Sequence, residues 1–275
     1  MSESLARVIR AFNNNVVLAR VGDAEVVLAG KGIGFDKHPG DVIPPEAIQR
    51  QYVEANAERI QTLKALALRQ PHLANSVAQA VDRAAEGIAD VHPSVYVMLV
   101  DHLAFAIERY KAGMYVPNEL LGEIQAGFPL EFAAAERVLA DVSSEIGVDL
   151  PIDEAGYIAL HLYAARTGAS VKRSVAIANL LSKLVGAVVA YLEAEVSRPA
   201  IASELARLIG RVEAKQFRDN AAADAICAAL PKDYAFAQQI IRKIPATSVN
   251  DADSGEAAFF AVTLHGWRMD ADAQR

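Results

Sequence analysis

Residues 16–36 read Val-Val-Leu-Ala-Arg-Val-Gly-Asp-Ala-Glu-Val-Val-Leu-Ala-Gly-Lys-Gly-Ile-Gly-Phe-Asp. Two runs of β-branched and apolar residues flank Gly22-Asp23, which is a two-residue turn signal. A further apolar run precedes this stretch, and a short one closes it. We therefore predict an antiparallel meander of about four strands: Ala6–Phe12, Val16–Val21, Glu25–Ala29 and Ile33–Phe35. So small a sheet favours burying one face in a dimer.

The pattern changes to helical periodicity from about Ile48 onward. Apolar residues between Ile60 and Leu68 fit one face of a connecting helix. The sequence therefore predicts a multidomain, mainly α protein. Its expected parts are a small β domain with the start of the linker helix (1–60), a first helical bundle (61–170) and a second (171–275).

The two predicted bundles form a loose internal repeat. The helices predicted over 94–111 and 153–166 recur as 198–215 and 254–269. In this alignment His265 takes the place of His161, and Glu204 takes the place of His102. Two similar modules in tandem describe such a chain better than one large domain.

Composition limits the classes of function. The net charge of −7 argues against nucleic-acid binding by the whole chain, but residues 1–40 are close to neutral and permit a local face. Cys227 is the single cysteine, so no internal disulfide can form, which fits a cytoplasmic location. No stretch is expected to approach the roughly 20 apolar residues of a membrane helix, and we predict neither a signal peptide nor membrane insertion.

His102 and His161 each border an apolar helical stripe. An imidazole there can be held in orientation while one neutral nitrogen stays open to a phosphoryl donor. Charged neighbours that could orient the rings are Asp101, Arg109, Glu154 and Arg166. Spacing alone leaves simple packing and general acid–base catalysis open as alternatives. The histidines lack metal-ligand spacing and no nucleotide fingerprint is present, so we expect no metal and no cofactor.

Three motifs in order resemble one known family. They are Arg10 with Asn13-Asn14-Asn15-Val16 and Ala29–Lys37, then Leu99–Arg109 around His102, then Leu150–His161. Together they resemble the BglG/SacY family of transcription antiterminators, with a CAT RNA-binding domain and two PRD modules regulated by the phosphotransferase system. The resemblance covers most of the chain and is strongest over residues 6–170.

The resemblance implies an N-terminal homodimer that binds a hairpin in nascent mRNA and prevents a terminator from forming. The implied RNA contacts are Arg10, Asn13, Asn15, Gly30, Lys31, Gly32 and Phe35. Amides can read base edges, glycines allow close approach of the backbone, and an aromatic ring can stack on an unpaired base. Asp36 departs from the family, which usually has an amide there.

The resemblance also implies phosphorylation of His102, His161 and His265 by HPr and a sugar-permease EII domain. Each phosphoryl group adds about −1.5 to −2 charges, enough to reorganise a module. Glu204 stands where the family has another histidine, and its permanent charge is hypothesised to imitate phosphorylation. The alternative is a PRD-type signalling module that acts through protein partners, with weak or lost RNA binding.

Overall fold

The computed structural model describes residues 5–11, 16–30, 32–48, 50–53, 71–85, 87–88, 91–92, 94–193, 196–245 and 255–273. In this part of the chain an antiparallel sheet comes first and helices follow. The mainly helical, multidomain prediction is confirmed.

The sheet has five strands in the order β4-β1-β2-β3-β5. Their bounds are β1 Ala6–Ala11, β2 Val16–Val21, β3 Ala24–Ala29, β4 Val42–Ile43 and β5 Arg50–Val53. The first three predicted strands are confirmed, and the turn at Gly22-Asp23 joins β2 to β3. The pairing of β1 with β2 shifts register between Val8 and Arg10, a bulge that changes the direction of the following side chains.

The predicted strand at Ile33–Phe35 is wrong. Residues 32–36 form consecutive turns, in which the Ile33 amide donates to the Gly30 carbonyl at 3.1 Å. Gly32 has a φ of +72°, which suits a turn and not a strand. The apolar residue in this turn serves the core: Ile33 is 2% exposed and packs against the buried face of the sheet.

Strands β4 and β5 were not predicted. The first has only two residues, and the second lies where helical periodicity was expected to begin. Both pair along the sheet, β4 with β1 and β5 with β3. The connecting helix predicted around Ile60–Leu68 lies outside the described residues.

Ten helices follow in the described residues. They are α1 Pro71–Ala85, α2 Ser94–Lys111, α3 Leu121–Gly127, α4 Pro129–Ile146, α5 Asp153–Thr167, α6 Val171–Leu192, α7 Arg198–Glu213, α8 Ala223–Ala229, α9 Pro231–Arg242 and α10 Gly255–Ala273. The chain divides into two compact units. The first comprises Met1–Asn118 and Leu130–Ser174, and the second comprises Glu119–Pro129 and Val175–Arg275.

In the first unit α2 packs against α1 and α5. Leu99 and Leu103 on α2 and Ile158 and Leu162 on α5 are fully buried. The second unit has its own apolar core, to which α6, α7, α9 and α10 contribute, with α3 packed on α7. Two separate helical cores therefore carry the repeated helices.

Helix α6 contradicts one expectation. Among the described residues, its 22 residues are long and apolar enough to cross a membrane by length and composition alone. That is weak evidence, because the core helix of a soluble protein passes the same test. Leu181, Leu184 and Val188 of α6 are buried in the core of the second unit, and 33% of its most apolar 18-residue stretch is buried.

Candidate phosphoacceptor sites and nucleic-acid interface

The first unit brings His102 and His161 together. His102 lies on α2 and His161 on α5, and their ring centroids are 5.6 Å apart. The Nε2 atom of His102 is 3.0 Å from Oε2 of Glu154, whose side chain is only 3% exposed. Arg109 contacts the other oxygen of the same carboxylate. We call these four residues the first site.

Burial defines how the first site can react. The side chain of His102 is 19% exposed, yet its Nε2 atom is buried beside Oε2 of Glu154, although the geometry of this contact is not that of a hydrogen bond. The exposed part of the ring therefore belongs to its other atoms. A carboxylate packed against one imidazole nitrogen leaves the other nitrogen as the accessible nucleophile. Tyr157 packs beside the ring at 5.7 Å, and burial followed by the charge of Glu154 raises the pKa of its hydroxyl.

The predicted orienting residues are only partly correct. Arg109 and Glu154 act together at His102, although Glu154 lies nearer to His161 along the sequence. Asp101 is exposed to solvent, and Arg166 forms an ion pair with Glu131 instead. The pairing across α2 and α5 joins residues 45 positions apart, so helical spacing could not reveal it.

Asp153 ties the loop after α2 to the start of α5. It accepts hydrogen bonds from the backbone amide of Asn118 at 2.6 Å and from the Tyr115 hydroxyl at 2.7 Å. The Asn118 bond is the main reason why the pKa of Asp153 lies below its ordinary value. The loop that borders the first site is therefore held by a buried, charged anchor.

The second unit repeats the ionic core of the first site. Arg211 donates to Glu256 through Nε and a terminal nitrogen, at 3.0 and 3.1 Å, as Arg109 contacts Glu154. Both residues lie 102 positions after their counterparts. At the same offset Glu204 replaces His102, and its carboxylate lies 3.7 Å from Arg211. We call Glu204, Arg211, Glu256 and the neighbouring Arg218 the second site.

The predicted equivalence of His265 with His161 is wrong. The ion pair of Asp233 with Arg268 repeats that of Glu131 with Arg166, again 102 positions later. That offset places Thr263 at the position of His161. His265 lies two residues further along the helix, which turns it to another face.

The surroundings of His265 therefore differ from those of the first-site histidines. Its Nδ1 atom is 3.7 Å from Asp233, and its side chain is 43% exposed. Asp233 also accepts hydrogen bonds from Tyr191 and Arg268. The signal that sequence reasoning missed was the matched spacing of the arginine–carboxylate pairs, which is more constant than that of the histidines.

The structure describes four of the seven predicted RNA contacts. Arg10 lies on β1 and is partly buried, which lowers the pKa of its guanidinium. Gly30 is buried, whereas Gly32 is exposed at a turn, with open space where a Cβ atom would stand. Phe35 is 68% exposed, although rings of this size are usually at least partly covered. Asn13, Asn15 and Lys31 lie outside the described residues.

Comparisons with known proteins match both parts of the chain. The family model of the CAT RNA binding domain matches residues 6–61, and that of the PRD domain matches residues 86–165. The first match covers the sheet, and the second covers both histidines of the first site.

Named relatives extend these matches. Transcription antiterminator LicT of Bacillus subtilis (strain 168) is 28% identical over 71% of this chain and 72% of its own length. The beta-glucoside operon antiterminator of Dickeya chrysanthemi is 30% identical over 66% of this chain and 65% of its own. The crystal structure of GlcT CAT-PRDI is 31% identical, covering 59% of this chain and 99% of that one, with a TM-score of 0.45. With the CAT and PRD matches in the expected order, the chain belongs to the BglG/SacY family of antiterminators.

Proposed function

We propose that this protein is a transcription antiterminator that binds a hairpin in nascent mRNA and prevents formation of a terminator. The observation that carries the proposal is the order of a CAT RNA-binding domain and a PRD domain along one chain. The relatives are named antiterminators and not enzymes. We accordingly propose a regulator in which the histidines accept phosphoryl groups without turnover.

The RNA is proposed to bind at the sheet through Arg10, Gly30, Gly32 and Phe35 together with Asn13, Asn15 and Lys31. The exposed ring of Phe35 supports this proposal, because an unpaired base can stack on it. No described atom lies within 4 Å of where a Cβ atom of Gly32 would stand, which leaves room on that side for a sugar-phosphate backbone. A homodimer through this domain, located in the cytoplasm, completes the proposed binding unit.

Control is proposed to act through His102, His161 and His265, with HPr and a sugar-permease EII domain as phosphoryl donors. The fixed imidazole of His102 supports its role as an acceptor. A phosphoryl group there would stand beside the buried carboxylate of Glu154, and repulsion between the two anions would change the packing of α2 on α5. We propose functional domains at 1–60, 61–170 and 171–275.

Two measurements on the full-length chain test this function. The first is a gel shift with the leader RNA of the protein's own operon, in which we expect salt-sensitive binding. Absence of binding at low salt would favour the signalling module that acts through protein partners only. The second is mass spectrometry after incubation with phosphorylated HPr and permease domains, where we expect phosphate on His102 and His161. Phosphate on neither residue would refute the proposed control.

A further inference from the structure

The two sites share one scaffold but differ in their reactive positions. The Arg109–Glu154 pair of the first site and the Arg211–Glu256 pair of the second link equivalent helices. Between these fixed points, both imidazoles of the first site are replaced. Glu204 stands at the position of His102, and Thr263 stands at that of His161.

Thr263 does not take over the role of an imidazole. Its hydroxyl donates to the backbone carbonyl of Phe259 at 3.1 Å, within its own helix. The side chain is therefore engaged locally and lacks a nitrogen nucleophile. The second site has no side chain at either position that could form a phosphohistidine.

Glu204 is held by two guanidinium groups. Arg207 donates to its Oε2 atom from Nε at 3.1 Å and from a terminal nitrogen at 2.6 Å. Arg211 lies 3.7 Å from its other oxygen. A carboxylate with a cation at each oxygen is compensated, so its charge does not disturb the neighbouring Glu256.

Arg218 adds a third guanidinium on Glu256. It donates from Nε and from a terminal nitrogen at 2.9 and 2.8 Å, and its backbone amide donates at 3.0 Å. Glu256 is fully buried, and burial by itself raises the pKa of its carboxyl. The hydrogen bonds from Arg218 and Arg211 outweigh burial and leave that pKa below its ordinary value.

The backbone has been adapted to bring Arg218 to this place. Gly255 occupies the position of Asp153, and a Cβ atom there would lie 2.4 Å from the Arg218 carbonyl oxygen. Only a glycine lets the loop come so close to the start of α10. In the first site the side chain of Asp153 holds the equivalent loop through Asn118.

The first site lacks cations at the positions equivalent to Arg207 and Arg218. The positions of Arg207 and Arg218 are taken by Phe105 and Val116, which are 63% and 43% exposed. Among the described residues, Arg109 is the one guanidinium in contact with Glu154. A phosphoryl group on His102 would add about −1.5 to −2 charges with no further cation at these two positions. The first site must therefore rearrange when it is charged, whereas the second carries its anion at rest.

We propose that, of these two equivalent sites, only the first is switched by phosphorylation, and that Glu204 holds the second site permanently in its charged arrangement; His265 lies outside both sites. This inference rests on the proposed function. Its consequence is that antitermination requires no phosphoryl donor for the second site.

A readthrough assay in cells tests the consequence. The full-length chain and three variants drive a reporter behind the leader and terminator, in strains with and without the phosphocarrier protein. We expect wild type and Glu204→Asp to keep readthrough in both strains. Readthrough with Glu204→Gln should fall at least about fivefold in both strains, which is the lower end of typical coupling between sites. With Glu204→His, readthrough should fall by the same factor in the strain without the phosphocarrier protein and stay at the wild-type level in the strain that has it.

Two outcomes of this assay overturn the inference. One is a Glu204→Gln variant with wild-type readthrough, and the other is wild-type readthrough that collapses without the phosphocarrier. If wild type gives no readthrough in either strain, the proposed function fails instead. The purified protein then decides the inference separately.

Trp267 makes that separate measurement possible, because it is the single tryptophan and lies on α10 of the second unit. Urea unfolding at low salt, followed by its fluorescence, reports on this unit. We expect a lower urea midpoint for Glu204→Gln than for wild type, and a wild-type midpoint for Glu204→Asp. Phosphoramidate, a small-molecule phosphoryl donor, should raise the midpoint of Glu204→His. A urea midpoint of Glu204→Gln equal to that of wild type would refute the fixed ionic arrangement and would leave the proposed function unaffected.

Discussion

Replacing Arg109 by methionine removes the guanidinium that compensates Glu154. Both side chains are mostly buried, with exposed fractions of 16% and 3%. Methionine keeps a similar length and apolar stem, so the change mainly removes charge and hydrogen bonds. Among the side chains that the structure describes, the remaining carboxylate then faces the Nε2 atom of His102, at 3.0 Å.

The expected cost follows from the charge left behind. Breaking a buried ion pair by removing one partner destabilises by about 3–5 kcal/mol. The contact with His102 remains, so we place Arg109→Met near the lower end, at about 3 kcal/mol. The matched control is Arg211→Met in the second site. There Glu256 keeps three hydrogen bonds from Arg218, at 2.8 to 3.0 Å. Arg211→Met removes two hydrogen bonds, but Arg218 still compensates the carboxylate, so we expect a loss of only about 1.5 kcal/mol, the lower end of the range for hydrogen bonds to a charged group.

Native-state hydrogen exchange read by mass spectrometry measures both losses in the same chain. Peptides from α2 and α5 report on the first site, and peptides from α7 and α10 report on the second. The difference of about 1.5 kcal/mol corresponds to roughly a tenfold difference in protection. Adding Glu154→Gln to Arg109→Met should recover part of the loss, because the uncompensated charge is then gone. Equal losses at the two sites would refute the role given to Arg218, and no recovery in the double variant would refute the uncompensated charge on Glu154.

Three further outcomes are expected. Phe35→Ala should weaken binding of leader RNA by about 1–3 kcal/mol, measured by gel shift, while the equally exposed Phe105 can be replaced by alanine without effect. Gly255→Ala should destabilise the second unit by about 1–3 kcal/mol in urea unfolding, because the new methyl group collides with backbone; Gly210→Ala, whose methyl group meets open space, should not. The depressed pKa of Glu256 contributes stability above the ordinary carboxyl range, and this contribution is lost as pH falls through the folded value. Trp267 fluorescence should therefore show a urea midpoint that falls below about pH 5 and falls less in Glu256→Gln.

The sequence predicted the strands that alternate strongly and the helices that repeat. Val16–Val21 and Ala24–Ala29 were readable because each combines strand-forming residues with a turn signal between them. Ile33 misled the prediction, since an apolar residue in a turn looks like a strand until its burial is known. Two-residue β4 carries too little pattern to detect.

The candidate site was predicted as residues but not as an arrangement. His102 and His161 were found, yet their proximity depends on the packing of α2 on α5, which no local pattern encodes. Likewise, Glu154 could not be assigned to His102 without coordinates. The two modules are related by an offset of 102 positions. The sequence contains this offset, but the contacts of Arg109 with Glu154 and of Arg211 with Glu256 are needed to show that 102 is the correct value.

Four differences between the sites act in the same direction. Glu204 introduces an anion, Arg207 and Arg218 supply cations, and Gly255 makes room for the second of them. Unrelated substitutions would have no reason to be complementary in charge, so these four are best explained as one coupled ionic arrangement.

The effects of substitutions on the stability of such coupled residues are not additive. Glu204→Gln and Arg207→Phe should each lower the urea midpoint of the second unit, while the double variant loses less than their sum. The coupling should be a few tenths to about 1 kcal/mol, because Arg207 is 63% exposed. Strict additivity would mean that Glu204 and Arg207 are neighbours without a shared role.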